Sequence, residues 1–481
     1  MEDLKVKEKK KSINQSSTME QQSSKGRVIA IITMFFIFAM ISFVTNMAAP
    51  FGNIWGYKYD WAGMMGNMMN FAAYLFMGIP AGKMLTTVGY KKTALIALGV
   101  GIVGLLVQYL SSLLGAETIV FSYDKVVDGV VSAVPVTLNL FIYLLGAFIC
   151  GFCVCMLNTV VNPMLNILGG GGNKGNQLIQ AGGALNSLSG TLTPFLVGVL
   201  IGTVTPHTTM GSVAPLLFIG MGIFVVAFIV ISYVQIPEPA LERARAARER
   251  GIQKLKYEHS AWSFRHFVFG ALAIFFYVGV EIGIPGEMNF YISQEIFGAN
   301  GLPIDGAAAV AGSFVAAYWL LMLAGRTISS AISAKVSTRA QLVTLSSLAL
   351  VLLITGILLP SDITWTVSGV PVPLKFAFIA ACGICTSVMW GGIFNLCVEG
   401  LGKYTEQASG IFMMLVVGGG VMPLIQDMVL RPAVGIVQSY WLIVLMVAYI
   451  LWYGLIGCKN VNTDIPVEEE NPLGPDVRDV I

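Results

Sequence analysis

The residues able to do chemistry in this chain lie where polar groups are expensive. Glu281 stands between Val280 and Ile282 in the middle of an apolar run, and Glu287 follows six residues later. An ionisable side chain at the centre of a membrane helix costs at least about 2.5–3.5 kcal/mol on insertion scales, so a carboxylate kept there needs a partner or a function. Two readings of Glu281 stand side by side: a cation-coupling carboxylate, or one half of a structural pair with Arg326. Glu287, nearer the end of the run, is a second cation-coupling candidate. A neutral group accompanies them: Asn46, Asn67, Asn70, Asn158, Asn162, Asn186, Asn289, Asn395 and Gln426. An amide donates and accepts without carrying charge. The structural alternative is hydrogen bonding between helices, worth about 0.6 kcal/mol on average. Asn67 and Asn70 share a helix face with Tyr74. Trp390 is followed by Gly391 and Gly392, which leaves its ring room to lie on the apolar face of a ligand while its N–H donates. Trp319 and Tyr277 are weaker candidates of the same kind.

Elements of membrane length must position these groups. Of 481 residues, 56% are hydrophobic and 11% charged, with mean hydropathy +0.77. Soluble domains carry about 25% charged residues. The composition therefore excludes a soluble enzyme, a nucleic-acid-binding domain and a disordered chain, and a net charge of +2 gives no case for nucleic acid. A helix needs about 20 apolar residues to cross a bilayer. Twelve such runs fall at about 28–52, 61–82, 92–114, 137–166, 177–202, 214–235, 264–291, 306–328, 341–360, 374–398, 407–430 and 438–457. They are continuous rather than alternating, which argues against an outer-membrane barrel. The expected fold class is an all-α membrane protein of twelve transmembrane helices.

Lysine and arginine set the orientation. The segment before the first run holds seven, the segment between runs six and seven holds another seven, and ten more fall in connections on that same side, Arg326 among them. The opposite side has Lys58, Lys125, Lys375 and Arg431. A bias of twenty-four to four places both termini in the cytoplasm. The organisation read from this is a disordered cytoplasmic tail (1–27), a six-helix bundle (28–236), a basic, helix-prone cytoplasmic linker (237–263), a second six-helix bundle (264–458) and a disordered cytoplasmic tail (459–481).

The halves repeat. At an offset of 229 residues Asn166 meets Asn395, Lys174 meets Lys403, Gly190 meets Gly419 and Pro194 meets Pro423; Ala81-Gly82-Lys83 matches Ala324-Gly325-Arg326 at 243. The longer outer loop 115–136, set against 361–373, absorbs the difference. Two pseudo-symmetric bundles with a ligand near the midplane are the architecture this implies. Gly418-Gly419-Gly420 with Pro423, and Gly182-Gly183 with Pro194, are expected to break the eleventh and fifth spans or to let helices approach closely.

Other signals fail. Residues 170–175 match G-x-G-x-x-G, but no strand precedes them. The three histidines lie in loops or at span ends, and no His/Cys spacing suits a metal. The seven cysteines lie in apolar runs or at the end of one and read as small hydrophobes. No cofactor is expected, and the only macromolecular surroundings implied are the lipid bilayer, with the chain acting as a monomer.

Five stretches carry a resemblance: FAAYLFMGIPAGKMLTTVGYKK (71–92), LNTVVNPMLNILG (157–169), IFFYVGVEIGIPGEMNFYIS (274–293), YWLLMLAGR (318–326) and FNLCVEGLGKYTEQASGIF (394–412). The chain resembles the major facilitator superfamily, most of all its branch of fucose permeases and glucose/galactose permeases. The resemblance implies a secondary transporter that moves a monosaccharide (glucose, galactose, fucose or a similar sugar) across the inner membrane by alternating access. It puts Asn46, Asn158 and Asn162 on helices that face the pore, with Asn67, Asn70, Trp390 and Asn395 as further sugar-binding candidates. The family's proton-coupling acids, an Asp and a Glu, correspond here to Asn46 and Asn158. Amides carry no proton, so coupling to a proton or sodium ion falls to Glu281 and Glu287. The alternatives are an uncoupled sugar facilitator and a carrier of the same fold for a non-sugar solute. An intramembrane glycosyl transferase lacks an acid/base or metal cluster, and a sensor built on this scaffold lacks a large cytoplasmic domain.

Overall fold

Twelve helical passages follow the twelve apolar runs in order. The structure, a computed structural model, describes residues 2–59, 61–127, 130–170, 172–201, 208–238, 241–242, 245, 259–296, 304, 306–333 and 335–467. The first nine passages are single helices: α1 (Glu2–Lys58), α2 (Met65–Thr87), α3 (Tyr90–Leu110), α4 (Leu138–Gly169), α5 (Gly172–Ile201), α6 (Ala214–Tyr233), α7 (Arg265–Gln294), α8 (Ala307–Ile332) and α9 (Thr338–Leu358). The tenth is split into α10 (Lys375–Thr386) and α11 (Met389–Val398). The eleventh comprises α12 (Thr405–Leu415), α13 (Gly418–Ile425), a π turn (Gln426–Leu430) and α14 (Arg431–Val434). The twelfth is α15 (Ile436–Trp452), closed by a second π turn. Among the described residues ten passages are long and apolar enough to cross a membrane. With α2 and α5, of 23 and 30 residues, they make the twelve.

Four details go beyond the expectations. The helical class holds, and each long outer loop adds an antiparallel hairpin. β1 (Ile119–Val127) pairs with β2 (Val130–Thr137), and β3 (Thr364–Val367) with β4 (Val370–Pro373). The second turns on Ser368 and Gly369, both with positive φ (50° and 86°), as a two-residue hairpin requires. The hairpins occupy matching places in the two halves, so the repeat extends into the loops. The second detail is that α1 is helical from Glu2; lysine, glutamate and glutamine there are good helix formers. Thirdly, the tail 459–481 is docked as far as Val467. The Val467 carbonyl accepts from Lys403 N at 3.2 Å, Ile465 is buried, and Asn462 Oδ1 accepts from Arg265 N at 2.9 Å. That last bond satisfies one of the free N–H groups at the start of α7. The rest of the tail, and most of the 237–263 linker with its expected helix, lie outside the described residues. Glu238, at the linker's start, accepts from Tyr90 N and Lys91 N at the N-terminus of α3, where a carboxylate is favoured by the helix dipole.

Fourthly, of the two readings of the α5 glycines, a break or a close approach, the structure has the close approach. A Cβ on Gly182 would lie 2.7 Å from Phe38, and one on Gly183 would lie 3.1 Å from Arg326. The expected break in the eleventh passage is present at 416–417, where a Cβ on Gly418 would strike the Phe275 carbonyl.

The halves meet along two seams, α2 against α12 and α5 against α8. Small residues make the first seam close: a Cβ on Gly78 would lie 2.7 Å from Gly410 O. Without a hydrophobic force between membrane helices, such backbone proximity is what packing has to offer.

Candidate functional site

A cavity of about 90 Å³, measured at the centres of water-sized spheres, lies between the halves. One water needs about 10–15 Å³ on that measure, so the space suits a ligand of several heavy atoms. The first half contributes Ser42, Thr45 and Asn46 from α1, Tyr74 from α2, Asn158 from α4, and Gln180, Gly183 and Asn186 from α5. The second half contributes Glu281 from α7, Trp319 and Arg326 from α8, and Trp390 from α11.

The first wall is neutral. Asn46 donates to Ser42 O at 2.8 Å and lies 3.1 Å from Ser42 Oγ. Asn158 donates to the Tyr74 hydroxyl at 2.9 Å. Each amide is thereby aimed by one bond from its nitrogen. The second wall is charged. Arg326 Nη2 meets Glu281 Oε1 at 3.2 Å, with side chains 6% and 12% exposed. Its other nitrogens are also satisfied: Nε donates to Ser387 O at 3.2 Å, and Nη1 to Gly183 O at 2.9 Å and Ser187 Oγ at 3.0 Å. One guanidinium thus joins α5 of the first half to α7 and the break between α10 and α11 of the second.

That break explains two polar residues. Backbone carbonyls at the 387–388 turn must be satisfied by protein or by a wet cavity in a membrane. Ser387 O takes Arg326, and Val388 O, which already accepts from Gly392 N at 2.9 Å, takes Gln180 Nε2 as well at 3.2 Å. A Cβ on Gly391 would lie 2.7 Å from Gln180 Nε2. The glycine after Trp390 therefore makes room for α5, not for the indole as the sequence suggested.

Of the expected ligand residues, the structure brings Asn46, Asn158, Trp390 and Glu281 together and places five elsewhere. Asn162 is fully buried just behind the cavity, where its Oδ1 accepts from Trp390 Nε1 at 3.1 Å and its Nδ2 donates to Asn158 O. Asn67 reaches across the seam to Gly419 O at 3.3 Å. Asn70 is turned into a separate cavity of about 10 Å³ within the first half, beside Gln108 and Tyr143. Asn70 and Tyr74, four residues apart, share a face of α2, but of the two only Tyr74 reaches the cavity between the halves. Asn395 is buried and donates to Thr338 Oγ1 at 3.3 Å. Glu287 is buried outside the cavity. Arg326, read as a cytoplasmic loop cation in the charge count, is a buried residue of the wall. Gln180 carried no signal beyond being an amide in an apolar run.

Further bonds between the halves gather on the side of the α4–α5 and α8–α9 connections. Asn176 Nδ2 donates to Ser333 Oγ at 3.3 Å, Ser330 Oγ to Gln177 O at 3.1 Å and Thr338 Oγ1 to Asn173 Oδ1 at 3.4 Å. With Gln180–Val388 and Trp390–Asn162 they make five neutral bonds. At about 0.6 kcal/mol each they hold that side shut by roughly 3 kcal/mol, an amount that binding energy can overcome.

Two bundles, a cavity shared between them and one closed side form the plan of an alternating-access carrier. The model of the Major Facilitator Superfamily matches residues 29–423. The chain belongs to the major facilitator superfamily. It is accordingly a multi-pass membrane transporter of the twelve-helix fold and not an enzyme. It is 28% identical over 457 residues to a glucose/galactose transporter of Brucella abortus biovar 1, covering 92% of this chain and 97% of the relative. Among solved structures it is similar to the Escherichia coli fucose:proton symporter (TM-score 0.65, 17% identity, 89% of this chain and 98% of that one). It is also similar to a bacterial homologue of the iron transporter ferroportin (TM-score 0.58, 11% identity, 89% and 97%). Those two likenesses speak for the fold alone, which hosts unlike cargoes.

Proposed function

We propose that this transporter carries a monosaccharide of the hexose or deoxyhexose kind, inward across the cytoplasmic membrane and coupled to a cation. The observation that carries the reading is the neutral wall of Asn46, Asn158, Gln180 and Asn186 facing Trp390 and Trp319. Every sugar hydroxyl is both donor and acceptor, and amides answer both roles. The aromatic faces suit the apolar face of a pyranose. The Brucella relative, a glucose/galactose transporter, supports the same cargo. Cation coupling rests on Glu281. A cation or a sugar hydroxyl at its carboxylate competes with Arg326, and Arg326 is the charged link to α5. Weakening that link lowers the cost of separating the halves on the side now closed. By the charge bias that side, and both termini, are cytoplasmic.

Labelled monosaccharides offered to proteoliposomes, with pH and sodium gradients imposed separately, test the reading. Saturable hexose uptake that accumulates under one gradient is expected. Uptake that never exceeds equilibration makes the protein a facilitator, and no sugar uptake at all removes the cargo assignment. Single cysteines at positions 125 and 250 should react only from outside and only from inside, respectively.

A further inference from the structure

α7 carries two carboxylates, and only one has its charge met. Glu281 has Arg326. Six residues on, Glu287 is 3% exposed and its Oε2 has no hydrogen-bond partner. Its charged neighbours are Asp427, Arg431 and Glu295. Arg431 is already engaged by Asp427 at 2.9 Å and lies over the Phe290 ring. An uncompensated carboxylate in a dry setting is strongly unfavourable, so this site calls for a proton or a bound cation.

A second unpaired acceptor marks where that charge would sit. Gln426 is fully buried and its Oε1 has no partner. Its Nε2 donates to Ser439 Oγ at 3.1 Å, and its Oε1 lies 2.7 Å from where a Cβ on Gly283 would be. Gly283 and Glu287 are four residues apart and share a face of α7. Both orphan oxygens therefore look into the groove between α7 and the 426–434 segment, and Gly283 keeps that groove free of a side chain. Gln426 also opens the π turn Gln426–Leu430, a distortion found often at functional sites.

We infer that Glu287 and Gln426 bind a sodium-sized monovalent cation at a site separate from the sugar cavity. Two hard oxygen donors, one of them charged, suit an alkali ion. With Asp427 paired to Arg431 and Glu295 exposed to solvent, Glu287 is the buried charge among these that is left unmatched, which sets the valence at one. A divalent ion would demand more carboxylates, and the described residues hold no cluster of three His, Cys, Asp or Glu. This deepens the coupled-carrier reading by giving the cation its own place on the helix that also bears Glu281.

Thermal unfolding of the purified full-length protein, without sugar, separates this site from that reading. Sodium chloride is compared with choline chloride at equal ionic strength and fixed pH. Sodium should raise the midpoint by roughly 2–4 °C. Glu287→Gln and Gln426→Leu should each abolish the rise, and Glu281→Gln should keep it. If one of the first two fails to fold, the other carries the test, with sodium-22 binding to the wild type as a direct measurement. Equal midpoints in the two salts, a sodium response that survives Glu287→Gln, or a response to acid alone would overturn the site. Sugar binding is measured separately and is untouched by that outcome.

Discussion

The two halves of this transporter descend on one cavity with different chemistry. The first presents amides and hydroxyls: Asn46 and Asn158 are aimed by short bonds within their own half, to Ser42 and Tyr74, and Gln180 reaches across to Val388 O. The second presents an ion pair and two indoles, and its arginine crosses to the first half. Pseudo-symmetry in the backbone has not meant symmetry in the site. A neutral wall can exchange hydrogen bonds with a hydroxylated ligand at little electrostatic cost. A charged wall is sensitive to anything that changes its charge, and its arginine supplies the charged link between the halves beside the five neutral ones.

The sharpest way to break this contrast is Arg326→Met. It leaves Glu281 buried without its counter-charge and removes the link to Gly183 and Ser187. A loss of about 3–5 kcal/mol of stability is expected, together with transport, measured by thermal unfolding and by proteoliposome uptake. Arg326→Met with Glu281→Met should recover most of the stability but none of the transport. Full activity in the single variant would show that the charged wall is ornamental. Glu281→Gln comes next. The amide oxygen still accepts from Arg326, so the fold should survive. Gradient-driven accumulation should vanish while sugar exchange across the membrane persists, and loss of both together would make Glu281 a binding residue only.

On the neutral wall the effects should be graded. Asn158→Ala removes a group facing the cavity, leaving a ligand hydroxyl unpaired at about 1–3 kcal/mol, or roughly 5–150-fold in sugar affinity. Asn162→Ala should weaken binding less, near the lower end of that range, because Asn162 acts by holding the Trp390 indole. Unchanged affinity in both would place the sugar elsewhere. The smallest effect belongs to residues the structure moves out of the site. Asn395→Ala and Asn67→Ala should cost about 0.6 kcal/mol of stability or less and leave affinity within error. A large change in affinity would return either residue to the cavity.

Much of the plan was readable from the residues alone, for physical reasons that are local. A run of apolar residues long enough to span a bilayer is a property of consecutive side chains, so the twelve passages could be counted. The repeat survived in the short connections, and Glu281 announced itself because an isolated carboxylate in hydrocarbon is conspicuous. The second hairpin was also within reach. Its Val-Ser-Gly-Val turn between alternating valines and threonines is a local signal that the hydropathy reading passed over.

Only the tertiary structure could decide which polar residues share a wall. Amides in apolar helices look alike in a sequence, and a rotation of one residue in three or four turns an amide from cavity to seam. Asn158 and Asn162 stand one turn apart on the same helix, yet one lines the space and the other stands behind it holding Trp390. Arg326 gave two opposed signals. A cation at the end of an apolar run reads as a loop residue in a charge bias, yet the same residue is the expected partner of Glu281, and the pair is present. The arginine's burial follows from partners brought by other segments, Gly183, Ser187, Glu281 and Ser387, and the last is offered only because the tenth passage breaks there. Lengths and periods belong to neighbours in the chain, whereas satisfying a buried charge depends on what distant segments bring to it.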